Sequence, residues 1–141
     1  MEGFEVAKAE NGSVAILYIK GYLNTHTAQD LENAFQELVD ARKYSIVINF
    51  RDLNYIGSAG LGVFMGFIED VRKNGGDIKL TNMKPKIYRV FDLLGFPTLY
   101  DILDDETKAV EKFKRRRHDV GWIRAKNLKS RVKNSGDKTK D

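Results

Sequence analysis

The apolar run at residues 44–50 constrains the fold more than any other feature of this sequence. At its centre stand Ile46, Val47 and Ile48, three β-branched residues with no polar residue between them. A half-buried strand alternates apolar and polar residues, whereas a strand covered on both faces is continuously apolar. The run therefore predicts a central strand in a sheet with other structure packed on both of its faces.

The segment before this strand has the pattern of a β-hairpin followed by a helix. Two apolar stretches, residues 4–9 and 14–19, flank Asn11-Gly12, a dipeptide that favours the positive φ angles of a two-residue hairpin turn. Apolar residues then recur at helical spacing from Ala28 to Val39. Thr27 stands where its hydroxyl can cap that helix.

The segment after the strand alternates helices with short strands. The apolar stripe of a second helix comprises Leu61, Phe64, Met65, Ile68 and Val71, and Asn74-Gly75-Gly76 ends it. A strand, a third helix that begins with Pro85, a weaker strand and a last helix follow at residues 77–81, 84–95, 99–103 and 105–113. This order predicts an α/β fold with a mixed sheet, parallel in its βαβ part.

The two ends of the chain differ in charge. Residues 114–141 hold 11 Lys or Arg against 3 Asp, whereas residues 1–113 hold 13 Lys or Arg against 17 Asp or Glu. A strongly cationic segment with few apolar residues buries too little surface to order itself. We therefore predict one folded domain over residues 1–113 and a basic, disordered tail over residues 114–141.

Composition also narrows the class of protein. The chain has no cysteine, which excludes disulfides, thiolate nucleophiles and cysteine-based metal sites. Its acidic start does not fit a signal peptide, and no apolar run approaches the roughly 18 residues of a membrane span. The two histidines, His26 and His118, have no clustered partners for a metal. We expect a cytoplasmic protein without metal, cofactor or membrane span.

The segment from Ile56 to Gly62 has the composition of a functional loop. Three glycines surround Ser58 where the central strand gives way to the second helix, which indicates close approach by another group. The Ser58 hydroxyl suits two roles: capping the helix, or accepting a phosphate that the helix N-terminus tolerates. Neither a nucleotide-binding glycine motif nor the G-x-S-x-G motif of a serine hydrolase is present, so no catalytic residue is predicted.

Taken in order, several segments resemble the STAS domains of anti-sigma factor antagonists. They are residues 21–28, residues 46–53, residues 91–96 and, above all, the run from Ile56 to Gly62. The resemblance covers about residues 4–113. It implies the STAS fold, in which a mixed sheet of four to five strands opens with a β-hairpin and the helices pack mainly on one face.

The resemblance also implies a regulatory switch without enzymatic activity. Members of the family bind an anti-sigma factor of the GHKL serine kinase type and thereby release a sigma factor. The kinase phosphorylates one serine of the antagonist, which ends the interaction, and a serine phosphatase removes the phosphate. That serine corresponds to Ser58, and Gly57 and Asn24 depart from the residues usual at their positions. The implied partner-binding residues are Asn24, Thr25, His26, Ile56, Gly57, Ser58, Ala59, Gly60, Leu61 and Gly62.

Two other functions stay open on the sequence alone. A monomeric antagonist is the expectation for this family, but the same fold also serves as an adaptor in larger regulatory or transport assemblies, where Ser58 would only cap its helix. The basic tail offers a second alternative, because its cationic groups suit salt-dependent contact with nucleic acid or an anionic surface. Specific nucleic-acid binding is not expected.

Overall fold

The computed structural model describes residues 3–115, and these contain a five-stranded mixed sheet. The strands β1 and β2 pair antiparallel, and every later pair is parallel. Their order in the sheet follows the chain: β1 (Phe4–Asn11), β2 (Val14–Leu23), β3 (Ser45–Ile56), β4 (Asp77–Thr81) and β5 (Ile102–Leu103). The predicted opening hairpin and mixed sheet are confirmed. From residue 116 onward, the predicted tail lies outside the described residues.

Within residues 3–115, the helices follow the predicted alternation with strands. α1 (Ala28–Asp40) connects β2 to β3, and α2 (Ser58–Lys73) connects β3 to β4. α3 (Pro85–Leu93) and a short 3-10 turn (Phe96–Thr98) lead to β5, and residues 106–115 form the helical stretch α4. The chain divides into two compact units at Val110, and the first unit holds the whole sheet and the candidate site.

The main core lies on the face of the sheet that α1, α2 and α3 cover. Leu17, Ile48 and Leu80 point to this face together, because β2, β3 and β4 pair in register, and all three are fully buried. Phe35 of α1 and Phe64 of α2 meet edge to face above them, with ring centroids 5.8 Å apart. The predicted fold class, with helices mainly on one face, is confirmed.

The opposite face of the sheet carries polar side chains near α4. Tyr18 and Asn49, which pair across β2 and β3, donate hydrogen bonds to the two carboxylate oxygens of Glu106 at 2.9 and 3.1 Å. Burial, reinforced by the bond to Glu106, raises the pKa of Tyr18. These bonds satisfy polar groups that would otherwise be costly to remove from water.

Lys79 is a buried cation on this same opposite face. Only 1% of its side chain is exposed, and its ammonium group lies 2.9 Å from Asp77 and 2.7 Å from Asp101. Arg72 of α2 donates a second charged hydrogen bond to Asp77 at 2.9 Å. Pairing with two carboxylates offsets the cost of burying the lysine.

Strand β3 is longer than the sequence predicted, and the extra length shapes the site. The expected strand ended at Phe50, but β3 continues to Ile56. Leu53 and Ile56 stay buried, and the added residues pair with the end of β2 across two register shifts. The segment expected to be a loop before Ser58 is therefore mostly strand.

Two smaller predictions were also wrong in their boundaries. The hairpin loop consists of Gly12 and Ser13, because Asn11 still pairs with Val14, and Gly12 takes the positive φ of 64°. The last strand contains only two residues in place of the predicted 99–103. Residues 99–101, which were expected to begin this strand, instead follow the 3-10 turn. There the Tyr100 N–H donates a hydrogen bond back to the Phe96 carbonyl.

Candidate functional site

The segments that contain Asn24 and Ser58 begin side by side at one edge of the sheet. Leu23, the last residue of β2, pairs with Ile56, the last residue of β3. The N–H of Gly57 then donates a hydrogen bond to the Leu23 carbonyl at 2.9 Å. Because parallel strands end at the same edge, two stretches that are 34 positions apart in sequence form one surface.

Asn24 folds the first of these segments into a tight turn. Its side-chain oxygen accepts hydrogen bonds from the N–H groups of His26 at 2.9 Å and Thr27 at 3.2 Å. Such a turn fixes the backbone and leaves the residues at its tip facing solvent. Thr25 and His26 are exposed, whereas the amide of Asn24 is engaged within the turn.

Thr27 precedes α1 as predicted, but its hydroxyl does not cap that helix. The hydroxyl donates to the Tyr22 carbonyl at 2.8 Å and accepts from the Asn24 N–H at 2.9 Å. Both of its strong bonds therefore point back to the end of β2, which ties the turn to the sheet. The sequence identified the right residue at the helix boundary and gave it the wrong partner.

Ser58 is the first residue of α2, and Gly57 occupies the cap position. Ser58 was expected just before the helix, and that position is wrong by one residue; of the two roles open to its hydroxyl, capping this helix is not the one it has. Ser58 is exposed, and no hydrogen bond of its hydroxyl is found among residues 3–115. The first N–H groups of a helix have no helical acceptor, so this end of α2 also presents donors and the positive end of the helix dipole.

The two glycines of the first turns of α2 have different roles. A Cβ on Gly60 would lie 2.5 Å from Cγ of Leu23 and 2.7 Å from its Cδ2, so glycine lets α2 pack on the end of β2. A Cβ on Gly62 would meet nothing within 4 Å. The group that approaches Gly60 closely is thus the chain's own core and not a ligand.

Burial divides the ten predicted partner-binding residues into three groups. Ile56, Gly60 and Leu61 are buried and form the support beneath the site. Thr25, His26, Ser58 and Gly62 are exposed, and Asn24, Gly57 and Ala59 are intermediate.

Two exposed residues of the site were missed or misassigned by the sequence patterns. Met65 was placed in the core stripe of α2, but 56% of it is exposed, because it lies on the face that also carries Ser58 and Gly62. Tyr55 is 48% exposed beside Gly57. Tyr55 pairs with Tyr22 across β2 and β3, so the two rings lie on the same face of the sheet. The sequence could not show this pairing, because the predicted strand ended before Tyr55. We call the exposed set Thr25, His26, Tyr55, Ser58, Gly62 and Met65 the Ser58 surface.

The described residues hold no group of three metal-binding side chains placed to share an ion. In the same part of the chain, none of the helices has the length and apolar character needed to span a membrane. The Ser58 surface offers hydroxyl, imidazole, thioether and aromatic groups around a helix N-terminus, where an added anion is tolerated.

An antiparallel hairpin followed by parallel βαβ units places the fold among small α/β domains with a mixed sheet. The chain matches the STAS domain over residues 5–109 and belongs to the STAS domain family.

Named relatives of this chain are anti-sigma factor antagonists. The anti-sigma-B factor antagonist of Bacillus subtilis is 34% identical over 91 residues, which are 64% of this chain and 80% of the relative. The anti-sigma F factor antagonist of Paenibacillus polymyxa is 25% identical over 107 residues, 75% of this chain and 92% of the relative. The Bacillus cell fate determinant SpoIIAA in its phosphorylated form shares the fold, with a TM-score of 0.62, 19% identity and coverage of 79% and 99%.

Proposed function

We propose that this chain is an anti-sigma factor antagonist that binds a GHKL-type anti-sigma kinase through the Ser58 surface and releases a sigma factor. The kinase phosphorylates Ser58 and so ends the interaction, and a serine phosphatase restores the active form. The chain acts as a non-enzymatic regulator. The observation that supports this proposal is the exposed Ser58 hydroxyl at the first position of α2, beside the Asn24 turn.

The exposed hydroxyl gives the kinase access without unfolding. Ser58 makes no hydrogen bond to another of the described residues, so a γ-phosphate can be transferred to it without breaking an internal contact. The supporting residues Leu23 and Ile56 are buried and paired, which keeps the start of α2 in place. The proposal thus needs no conformational change in the antagonist.

Phosphorylation changes the charge of the contact surface. A phosphate adds about −1.5 to −2 charges where the partner has docked against a small neutral hydroxyl. An uncompensated charge buried in an interface costs on the order of 3 kcal/mol, which lowers affinity more than about a hundredfold. The unmodified and phosphorylated forms therefore behave as bound and released states.

Intact-mass spectrometry tests the phosphorylation step directly. The purified protein is incubated with ATP, Mg²⁺ and, in turn, each GHKL-type anti-sigma kinase encoded in the same genome. We expect a gain of one phosphate with the cognate kinase, no gain in Ser58→Ala, and an unchanged gain in the control Ser13→Ala, whose hydroxyl lies in the hairpin loop at the opposite end of β2. Phosphorylation of Ser58→Ala to the same extent would assign the acceptor elsewhere.

A binding measurement tests the switch itself. Titration calorimetry with the same panel should give a complex for wild type that Ser58→Asp weakens, because the aspartate places a charge at the contact. Equal affinity of wild type and Ser58→Asp would contradict the switch. If no kinase of the panel binds or phosphorylates the protein, the adaptor function becomes the better explanation of the fold.

A further inference from the structure

Tyr55 is a half-exposed aromatic residue near the end of β3, three positions before Ser58. Its ring stacks on Tyr22 of the neighbouring strand, with centroids 6.3 Å apart and an interplanar angle of 23°. Both residues lie on the sheet face opposite the core, because their neighbours Leu23 and Ile56 face the core. The pair forms an aromatic platform that adjoins the candidate site and is not part of the hydrophobic core.

Gly57 makes room for this platform. A Cβ at this position would lie 3.2 Å from the hydroxyl oxygen of Tyr55, 3.4 Å from Cε2 and 3.6 Å from Cζ. The backbone of Gly57 is extended, with φ of −109° and ψ of −178°, so every residue type can adopt it. The backbone here therefore does not require glycine, whereas a methyl group would make the Tyr55 ring shift by a few tenths of an ångström.

The position of the ring favours contact with whatever protein reaches Ser58. The Tyr55 ring lies within 4 Å of where a Cβ on Gly57 would stand, and Gly57 is bonded directly to Ser58, so a protein docked around the Ser58 hydroxyl approaches the ring as well. Tyrosine is enriched among residues that dominate binding energy, because it buries a large rigid area with few rotatable bonds. Stacking on Tyr22 already restricts the ring, so less entropy is lost when a partner covers it.

We infer that Tyr55, oriented by Gly57 and Tyr22, is an affinity-determining contact for the anti-sigma kinase. This inference rests on the proposed function and assigns to the same interface a residue on the opposite side of Gly57 from the phosphoacceptor. We assign the contact to the ring and not to the hydroxyl, because the ring carries the large apolar area that a partner can cover.

Three variants separate the ring, its hydroxyl and its orientation. Their affinities for the GHKL-type kinase panel are measured by titration calorimetry with the full-length chain. We expect Tyr55→Ala to weaken binding about 30-fold, which is equivalent to about 2 kcal/mol, and Tyr55→Phe to bind within about threefold of wild type. Gly57→Ala should fall between them, at about five- to tenfold, because its methyl group displaces the ring without removing it.

The control is Leu93→Ala at the far end of α3, which removes another exposed apolar side chain, 80% accessible in the free protein. It should bind within twofold of wild type. Urea unfolding of all variants checks the fold, and we expect the stability of Tyr55→Phe and Gly57→Ala to match that of wild type closely, as for most surface substitutions.

The outcomes distinguish this inference from the proposed function. If wild type binds and Ser58→Asp weakens the complex, but Tyr55→Ala binds as tightly as wild type, the inference about Tyr55 is overturned and the proposed function stands. Weak binding of Tyr55→Phe equal to that of Tyr55→Ala would overturn the ring contact in favour of the hydroxyl. If no kinase of the panel binds wild type, both are overturned.

Discussion

Gly60→Ala adds one methyl group at the point where α2 packs against β2. The new carbon would lie 2.5 Å from Cγ of Leu23, 2.7 Å from its Cδ2 and 3.3 Å from Cγ1 of Ile56. Carbon atoms without a bond between them rest about 3.5–4.0 Å apart, so the overlap is more than about half an ångström. Leu23 is 0% exposed and has no route into solvent, so α2 or the end of β2 must shift.

Two opposing terms set the magnitude of this change. Overpacking a well-packed core costs about 1–3 kcal/mol, while replacing glycine by alanine in a helix returns about 1 kcal/mol. We therefore expect Gly60→Ala to lower the free energy of unfolding by up to about 2 kcal/mol, or the midpoint temperature by up to about 8 °C for a domain of this size. The same shift moves the start of α2, so Ser58 should also be phosphorylated more slowly.

Gly62→Ala is the matched control, since it makes the same chemical change two residues later. Its methyl group would meet nothing within 4 Å, so only the helix-propensity gain applies. It should raise the free energy of unfolding by about 0.5–1 kcal/mol. Both variants are measured by urea unfolding. Equal slopes of the free energy of unfolding against urea concentration show that only stability has changed. If Gly60→Ala proves as stable as Gly62→Ala, close packing of α2 on Leu23 is not the reason for glycine at position 60.

Two further predictions concern buried polar groups. Lys79→Met should lower the free energy of unfolding by about 3 kcal/mol, measured by urea unfolding, because it leaves the carboxylates of Asp77 and Asp101 without their shared cation. Tyr100→Phe should cost about 1 kcal/mol, because the Tyr100 hydroxyl bonds to the Phe64 carbonyl at 2.7 Å. Burial raises the pKa of Tyr100, so thermal unfolding should show wild type losing stability above about pH 10, where unfolded tyrosine ionises, more steeply than Tyr100→Phe. Equal stability of either variant and wild type would contradict the corresponding contact.

The elements of this fold follow from local sequence patterns. The β-branched run around Val47 became the central strand, and the helical spacing of Leu31, Phe35 and Leu38 matches the buried stripe of α1. Pro85 stands at the start of α3 as its restricted φ favours. These patterns are enough to predict helices and strands, because the spacing of apolar residues within a short segment shows which of its faces is buried.

The details of the site depend on contacts between segments far apart in sequence. The need for glycine at position 60 arises from Leu23 on another strand, and glycine at position 57 makes room for the ring of Tyr55. The Asn24 side-chain oxygen and the Thr27 hydroxyl look available in the sequence, yet the first accepts a bond within its own turn and the second donates to the Tyr22 carbonyl of β2. The spacing of apolar residues along the chain does not reveal contacts between distant segments. These contacts appear only when β2 and β3 are placed in register.

The arrangement of the site separates the stability of the domain from its proposed regulation. The residues that hold α2 in place, Leu23, Ile56 and Gly60, are buried, while Ser58 projects from the outer face of the first turn. A phosphate there breaks no internal bond of the described residues, and its charge interacts favourably with the helix dipole by about 0.3–1 kcal/mol. Phosphorylation should therefore leave the fold intact. The partner then distinguishes the two forms by the charge at Ser58 and not by a change in the fold. A switch built in this way can be reset by removing one phosphate, because neither form has to refold.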